Sequence, residues 1–480
     1  MGWLFVAEWV VRLTMFVVIV TRKRAANAAL AWLVVVAFVP FVGAVAYLMF
    51  GEVRLGKRRS ERYLHLREAM SRSPELRQQF AEREPASVPE RHQLLANLAG
   101  SVGAREPRSG NRIELMDDPR ELFSRMVEDI DVAAHHCHLL FYIADDYKDD
   151  PLTTAVTEAL IRARARGVAC RMLLDAAGSR RFLRGRLADR LREAGVELAA
   201  ALPVNPLRAM VARLDLRNHR KLTVVDGRIG YLGSHNLTDP VYPGKEAYGD
   251  WMDASVRIEG PVVYDLQEVF LGDWAFSVSP LPDDVDYFPP MQGLQPDGDV
   301  TASLLPTAPS MDRTPLLDVI LQTLQMARDR VVLTTPYFVP DESMLAAMRS
   351  ASVRGVEVVL VVPKKSDHGL AAAAGRSHYP YLLDVGVEIR EYPGALLHAK
   401  TLTMDRDFAI VGSANLDVRS FSLNFELALL VYDTDFASQL HYLQAEYLEK
   451  AERLSKQAWR RRGVVRKVAD NVARLLTPLL

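Results

Sequence analysis

The chain has 480 residues, with 59 Lys and Arg against 60 Asp and Glu and a net charge of −1. That length suits two globular units with appendages, and the neutral charge balance offers no general case for a nucleic-acid partner. Its two cysteines, Cys137 and Cys170, exclude a disulfide framework and lie in apolar, strand-like surroundings.

The amino-terminal end is a different material from the rest. Ala28 to Phe50 is an almost unbroken apolar run, which predicts one membrane-spanning helix with Trp32 and Tyr47 toward its ends. Met1 to Val20 is also apolar but carries Glu8 and Arg12, an i, i+4 pair able to neutralise itself on one helix. The basic Arg22-Lys23-Arg24 follows the first run instead of preceding it, which favours a retained transmembrane hairpin over residues 1–50 against a cleaved signal peptide. If both helices span, the body of the protein lies on the side of Met1. Positive residues flank the pair on both sides, so they do not decide the orientation; the cytoplasmic side is favoured.

Residues 51–112 are charged, with Pro74, Pro85, Pro89 and Pro107 as breaks, and read as a tether of short helices. From Ile113 a strand and helix alternation begins, and it occurs twice. Arg166-Gly-Val-Ala-Cys-Arg-Met-Leu-Leu-Asp175 parallels Arg354-Gly-Val-Glu-Val-Val-Leu-Val-Val-Pro363, and Ala194-Gly-Val-Glu197 parallels Val385-Gly-Val-Glu388. This predicts two α/β domains with mixed sheets, 113–285 and 286–455, related by a pseudo-twofold axis with one site at their seam. Residues 456–480 form a basic amphipathic segment: Val465, Val468, Val472, Leu475, Leu476 and Leu479 recur at helical spacing among Arg466, Lys467 and Arg474. Such a helix suits an anionic membrane surface, or else packs on the body with a solvated face.

Each domain holds one copy of a motif, His219-Arg-Lys-Leu-Thr-Val-Val-Asp226 and His398-Ala-Lys-Thr-Leu-Thr-Met-Asp405. At the same interval beyond each aspartate comes Gly-Ser-x-Asn, giving Ser234 with Asn236 and Ser413 with Asn415. Strand alternation puts His219 with Lys221, and His398 with Lys400, on one face, and sends Leu222, Val224, Leu402 and Met404 to the other. Asp226-Gly227 signals a hairpin that folds the asparagine back beside the histidine. Imidazole, ammonium and carboxamide converging on one point suit a phosphate: one histidine attacks phosphorus, the other protonates the leaving alkoxide, and lysine neutralises oxygens. No metal or other cofactor is needed by this scheme, and one chain completes the site.

These residues resemble the phospholipase D superfamily, whose signature is this duplicated motif, over nearly the whole chain. Within it the sequence looks most like the bacterial cardiolipin synthases, in its amino-terminal membrane hairpin and in Arg257-Ile-Glu-Gly-Pro261, Thr335-Pro-Tyr-Phe-Val-Pro-Asp341 and Asn415-Leu-Asp-Val-Arg-Ser-Phe-Ser-Leu-Asn-Phe-Glu426. The resemblance implies phosphatidyl transfer between two phosphatidylglycerol molecules through a phosphohistidine, by a multi-pass enzyme of the bacterial inner membrane. It implies a catalytic set of His219, Lys221, Asp226, His398, Lys400 and Asp405, although the turn positions of Asp226 and Asp405 fit a structural role as well as a chemical one. Ser234, Asn236, Ser413 and Asn415 are then phosphate-binding or orienting, and Asp253 and Glu426 orient the imidazoles. Hydrolysis to phosphatidic acid is the enzymatic alternative, and a non-catalytic scaffold on anionic lipid is the alternative of another class.

The run His135-His136-Cys137-His138 invites a metal reading, but neighbours on a strand face opposite ways and the run leads into Leu139-Leu-Phe-Tyr-Ile143, so no metal site is expected there. Tyr147 and Tyr337, with Phe338, could line a lipid cleft, with core packing the better default.

Overall fold

The structure is a computed structural model that describes residues 2–22, 26–55, 61–62, 86–147, 150–203, 213, 215–241, 249–278, 287–288, 298–309 and 314–477. The first apolar run is one helix, α1 (Gly2–Thr21), and its 20 residues are long and apolar enough to cross a membrane.

The second apolar run breaks in two, forming α2 (Ala26–Phe38) and α3 (Pro40–Phe50). Pro40 lacks an N–H and its ring would strike the carbonyl one turn back, so the helix stops and Val39 takes φ −135° and ψ 73°. The chain then doubles back. Trp32 and Tyr47 meet edge to face with ring centroids 5.4 Å apart, and a Cβ on Gly43 would lie 2.9 Å from Val36 Cα, so the glycine lets the two helices touch. At 13 and 11 residues, neither helix alone spans about 30 Å of hydrocarbon. The expected pair of spanning helices is therefore corrected to one long helix and a short helical hairpin.

Met15 and Ile19 of α1 pack with Trp32, Val36 and Tyr47. Arg22, just after α1, pairs with Glu52, just after α3, at 3.2 Å, so these two ends lie together. At the other end of the hairpin, Arg12 Nε donates to Ala37 O at 3.1 Å, meeting a carbonyl next to the break. Arg12 also pairs with Glu8 at 3.1 Å, as the spacing predicts.

Part of the expected tether is folded. The helix Gln93–Val102 buries Leu95, Ala96 and Ala99 in the core of the second half, and Arg91 pairs with Asp405 and Asp407. The charges and prolines around it hide a short apolar face that only the tertiary core makes visible.

The first half contributes β1 (Arg108–Met116), β2 (His136–Phe141), β3 (Ala169–Asp175), β4 (Glu197–Ala201), β5 (Arg217–Asn218), β6 (Leu222–Val225), β7 (Ile229–Gly233), β8 (Trp251–Met252) and β9 (Ser255–Glu259). The second contributes β10 (Val300–Thr307), β11 (Arg330–Thr334), β12 (Phe338–Val339), β13 (Glu357–Pro363), β14 (Glu388–Tyr392), β15 (Leu396–Leu397), β16 (Thr401–Met404), β17 (Phe408–Gly412), β18 (Leu416–Asp417), β19 (Asn424–Val431) and β20 (Glu452–Arg453).

The order β4-β3-β2-β6-β7-β9-β1 runs directly into β10-β19-β17-β16-β11-β13-β14, joined by the antiparallel β1–β10 pair, so the halves share one continuous sheet. Outward from that seam the two orders correspond strand for strand, which is the pseudo-twofold relation anticipated from the repeats. The sheet is mixed: β2-β3-β4 and β11-β13-β14 are parallel and the central pairs antiparallel. The paired Arg-Gly-Val segments are helix ends, with Gly167 and Gly355 both at φ +94°, the left-handed cap that glycine takes without strain. The helices Val262–Ser277 and Thr434–Lys450 pack into a core drawing on both halves, from Leu222 and Val256 to Val411 and Leu429. Outer helices cover the other face in two separate clusters.

Candidate active site

Each motif histidine is held by a strand of the opposite half. β5, which ends just before His219, runs parallel to Asn424 and Phe425 of β19, and His219 N donates to Phe425 O at 2.9 Å. β15, which ends just before His398, runs parallel to β8, and His398 N donates to Met252 O at 2.7 Å.

The carboxylates follow the same crossing. His219 Nδ1 donates to Glu426 Oε2 at 2.9 Å, and His398 Nδ1 donates to Asp253 Oδ1 at 2.6 Å. Asp253 and Glu426 were expected to orient imidazoles; the structure shows that each serves the histidine of the other half. With Nδ1 bonded to a carboxylate, the tautomer leaves Nε2 as the free nitrogen. Both rings are also packed by aromatics, Tyr142 on His219 at 4.7 Å and Trp251 on His398 at 4.5 Å between centroids.

The lysines turn back on their own motifs. Lys221 Nζ donates to His219 O at 2.7 Å and lies 5.2 Å from the centre of the Tyr142 ring, while Lys400 Nζ donates to His398 O. Burial is the largest influence on all four groups. It drives both imidazoles down to about 4, against the opposing pull of Glu426 on His219 and of Asp253 on His398. It lowers Lys221 to about 7 and Lys400 to about 8, each lysine also disfavouring the charge on the histidine of the other half. Burial pushes Glu426 and Asp253 up, but their histidines and the nearby lysines outweigh it and hold both carboxyls below the usual range. The charges of Lys400 and Lys221 thus reach the histidine of the opposite half, and an arriving phosphate anion favours the protonated form of each of the four groups.

Ser413 and Ser234 support the carboxylate segments. Ser413 Oγ donates to Glu426 at 2.6 Å and accepts from Leu427 N, and Ser234 Oγ accepts from Ala254 N at 2.9 Å, next to Asp253. Asn236 Oδ1 accepts from Ile143 N at 3.1 Å, and the Asn415 side chain is buried with them.

Asp226 and Asp405, for which a structural role stood beside the chemical one, make structural contacts. Each lies at the far end of its strand in a left-handed turn, at φ 52° and 50°, and the carboxylate is committed to backbone. Asp226 accepts from Ala134 N, His135 N and His136 N at 2.7–2.8 Å. Asp405 accepts from Arg328 N, Asp329 N and Arg330 N at 2.8–2.9 Å and is also bound by Arg91. They tie the motif hairpin to the start of the neighbouring strand.

Several contributors carry no signal in the motif spacing. Arg220, the residue between His219 and Lys221, donates to Asp273 at 2.6 Å, Thr307 O at 2.7 Å and Glu426 O at 3.0 Å, locking the seam beside the site. Asn424 Nδ2 donates to Glu426 Oε1 at 3.0 Å, and Asp175 accepts from Asn218 N at 3.0 Å. Asn424 sits inside the quoted Asn415–Glu426 run, two residues from Glu426 on the same strand face, and that spacing was the available clue. The His135–His138 run is packing: His138 stacks on Phe270 at 4.4 Å and on His136 at 4.6 Å, with Gln267 and Arg171 on its nitrogens.

A continuous sheet of two pseudo-symmetric halves, contributing one histidine and one lysine each to a shared site, defines a protein of the phospholipase D-like class. Comparison with known proteins agrees. Residues 126–274 and 320–445 match the family described as cardiolipin synthase, PLD-like domain, and residues 11–52 match the phospholipase D-nuclease N-terminal family. The chain is 34% identical over 487 aligned positions to cardiolipin synthase A of Yersinia pseudotuberculosis serotype O:1b (strain IP 31758), covering 100% of this chain and 97% of that one. The same figures hold for cardiolipin synthase A of Yersinia pestis. The crystal structure of phosphatidylserine synthase from Haemophilus influenzae Rd KW20 superimposes with a TM-score of 0.57 at 15% identity, over 77% of this chain and 95% of that one, a likeness of fold. The chain belongs to the cardiolipin synthase family of phospholipase D-like proteins.

Proposed function

We propose that the chain is a cardiolipin synthase that moves a phosphatidyl group from one phosphatidylglycerol to another. The observation that carries this is the pair of buried, neutral imidazoles, each with Nδ1 bonded to a carboxylate of the other half and Nε2 free. Nε2 of one motif histidine attacks phosphorus, and the bond from phosphorus to the headgroup glycerol oxygen breaks. The other histidine, which takes up a proton at Nε2 once the phosphodiester anion is bound, gives that proton to the oxygen and glycerol departs. The same histidine then takes a proton from the headgroup hydroxyl of a second phosphatidylglycerol, whose oxygen attacks phosphorus, breaks the phosphorus–nitrogen bond and leaves as cardiolipin. Lys221 and Lys400 neutralise the non-bridging oxygens as charge builds on them. Similarity to cardiolipin synthase A over the whole chain supports a lipid hydroxyl as acceptor. Incubation of the purified protein with phosphatidylglycerol vesicles tests it: cardiolipin and glycerol in equal amounts support the reading. Phosphatidic acid would make it a hydrolase, and no product a scaffold.

In the membrane, α1 crosses once and α2–α3 enters and leaves on one side. The Arg22–Glu52 pair supports this, because it sets the end of α1 level with the end of α3, and so does Arg12, which meets the hairpin near its tip from the middle of α1. With one crossing, Arg22 after α1 and Arg54 after α3, both within reach of Glu52, fall on the same side as the catalytic body. The positive-inside rule then selects the cytoplasmic side.

A further inference from the structure

The helix Val464–Leu476 packs with its polar side inward. Asp470, only 4% exposed, is turned to the body, where Arg376 holds its carboxylate at 3.1 Å and Arg462 at 2.8 Å. Ala473 sits beside it, against Val339 and Ala374. The apolar row is left outside: Val465 is 83% exposed and Leu475 70%, with Val464, Val468, Val472 and Leu476 along the same side. Arg461, Arg466 and Arg474 are exposed around that row. A helix stabilised only by the body would show the reverse arrangement, apolar side in and charges out.

Its position connects this face to the site. The helix rests on Gly369–Arg376, which packs on β12, and β12 pairs with β18 directly after Asn415. The turn leading into Gly369 carries His368 against the Tyr337 ring at 5.1 Å and Asp367, which accepts from Tyr337 Oη at 2.5 Å and whose charge acts on Lys400. Val53 and Leu55, just after α3, pack against the cluster that contains Leu216 and Phe425, and Phe425 O accepts from His219 N. The amino-terminal helices and this helix therefore border the same site.

We propose that Val464–Leu476 is a second membrane contact, lying in the surface of an anionic leaflet with its valine and leucine row among the acyl chains and its arginines at the headgroups. Exposed apolar area rimmed by cations matches the chemistry of that surface, and of no neutral one. The inference concerns how the body is seated and stands whichever acceptor the enzyme uses.

The test uses the full chain carrying Leu475→Cys labelled with an environment-sensitive fluorophore, since Cys137 and Cys170 are buried. The protein is reconstituted in vesicles of phosphatidylcholine alone or with phosphatidylglycerol, each with and without a lipid quencher on the acyl chain. The proposal expects quenching of about twofold or more in phosphatidylglycerol vesicles and little in phosphatidylcholine. Adding Val468→Asp and Val472→Asp, both on the exposed side, should abolish the quenching with the melting temperature kept. Equal quenching in both vesicles would overturn the anionic selectivity. Absence of quenching in both, or label proximity between copies in detergent, would overturn the membrane contact.

Discussion

His219 and Glu426 lie 207 residues apart and in opposite halves, yet His219 Nδ1 donates to Glu426 Oε2 at 2.9 Å. Asp253 does the same for His398 at 2.6 Å. Each half therefore depends on the other for a working imidazole, and changes to a carboxylate should act across the seam. Glu426→Gln and Asp253→Asn should each lower kcat by about 10²- to 10⁴-fold with little change in KM, as expected when an imidazole loses the partner that fixes its tautomer. Steady-state kinetics with phosphatidylglycerol in mixed micelles would show it. A rise in KM alone would assign these residues to substrate binding.

The pH profile follows from burial. Below about 4 the imidazoles are protonated and no nucleophile remains, and above about 7 Lys221 begins to lose its charge, followed by Lys400 at about 8. The profile of kcat/KM, which reports the free enzyme, should fall on its alkaline side near these lysine values. In the kcat profile that limb should move upward, because a bound phosphodiester favours charged lysine. An alkaline limb absent until about pH 9 or beyond, near ordinary lysine behaviour, would show that the lysines are not desolvated.

Asp226 and Asp405 should behave as structural residues. Replacing Asp405 with Ala strands three backbone N–H groups and should cost about 1–3 kcal/mol of stability, while the folded fraction keeps kcat within a few fold. For Asp405, burial acts upward, but the backbone donors and Arg91 prevail and hold its pKa below the unfolded value. Its contribution is therefore present at neutral pH and is lost as pH falls below about 4. Thermal unfolding of the variant alongside its kinetics would check both points. A loss of kcat as large as that of His219→Asn, without loss of stability, would contradict them.

The membrane arrangement makes a topological prediction. A thiol probe that cannot cross the membrane should label Gly2→Cys in intact cells and Ser101→Cys only in inverted vesicles, because α1 crosses once. Phe38→Cys, beside the Pro40 break, should resist labelling from both sides. Labelling of Gly2→Cys and Ser101→Cys from the same side would mean two crossings.

What the sequence revealed and what it concealed have physical reasons. The histidine and lysine pairs were legible because they occur twice with the same downstream Ser and Asn, and strand alternation already put His219 and Lys221 on one face. Asp253 and Glu426 were legible as partners, but not the crossing, since β5 and β8 are strands of two residues whose pairing is decided by the other half. The role of the motif aspartates stayed open in the sequence because identity of spacing says nothing about which way a turn residue points; both have left-handed backbone, and their carboxylates accept from the start of the neighbouring strand. In the second apolar run, length outweighed a single proline, although Pro40 removes the hydrogen bond a continuous helix needs. The strand alternation and the Arg-Gly-Val repeats gave the pseudo-twofold relation, whereas the β1–β10 join into one sheet has no local signature.

The central claim is that one motif histidine carries the phosphatidyl group between two alcohols while the other moves protons. Its most direct test is acid quench of His219→Asn and of His398→Asn during turnover of phosphatidylglycerol, followed by mass spectrometry of the intact protein and its peptides. The account predicts a phosphatidyl adduct on the remaining motif histidine in one of the two variants. No adduct in either variant, with cardiolipin still formed by the unaltered protein, would contradict it.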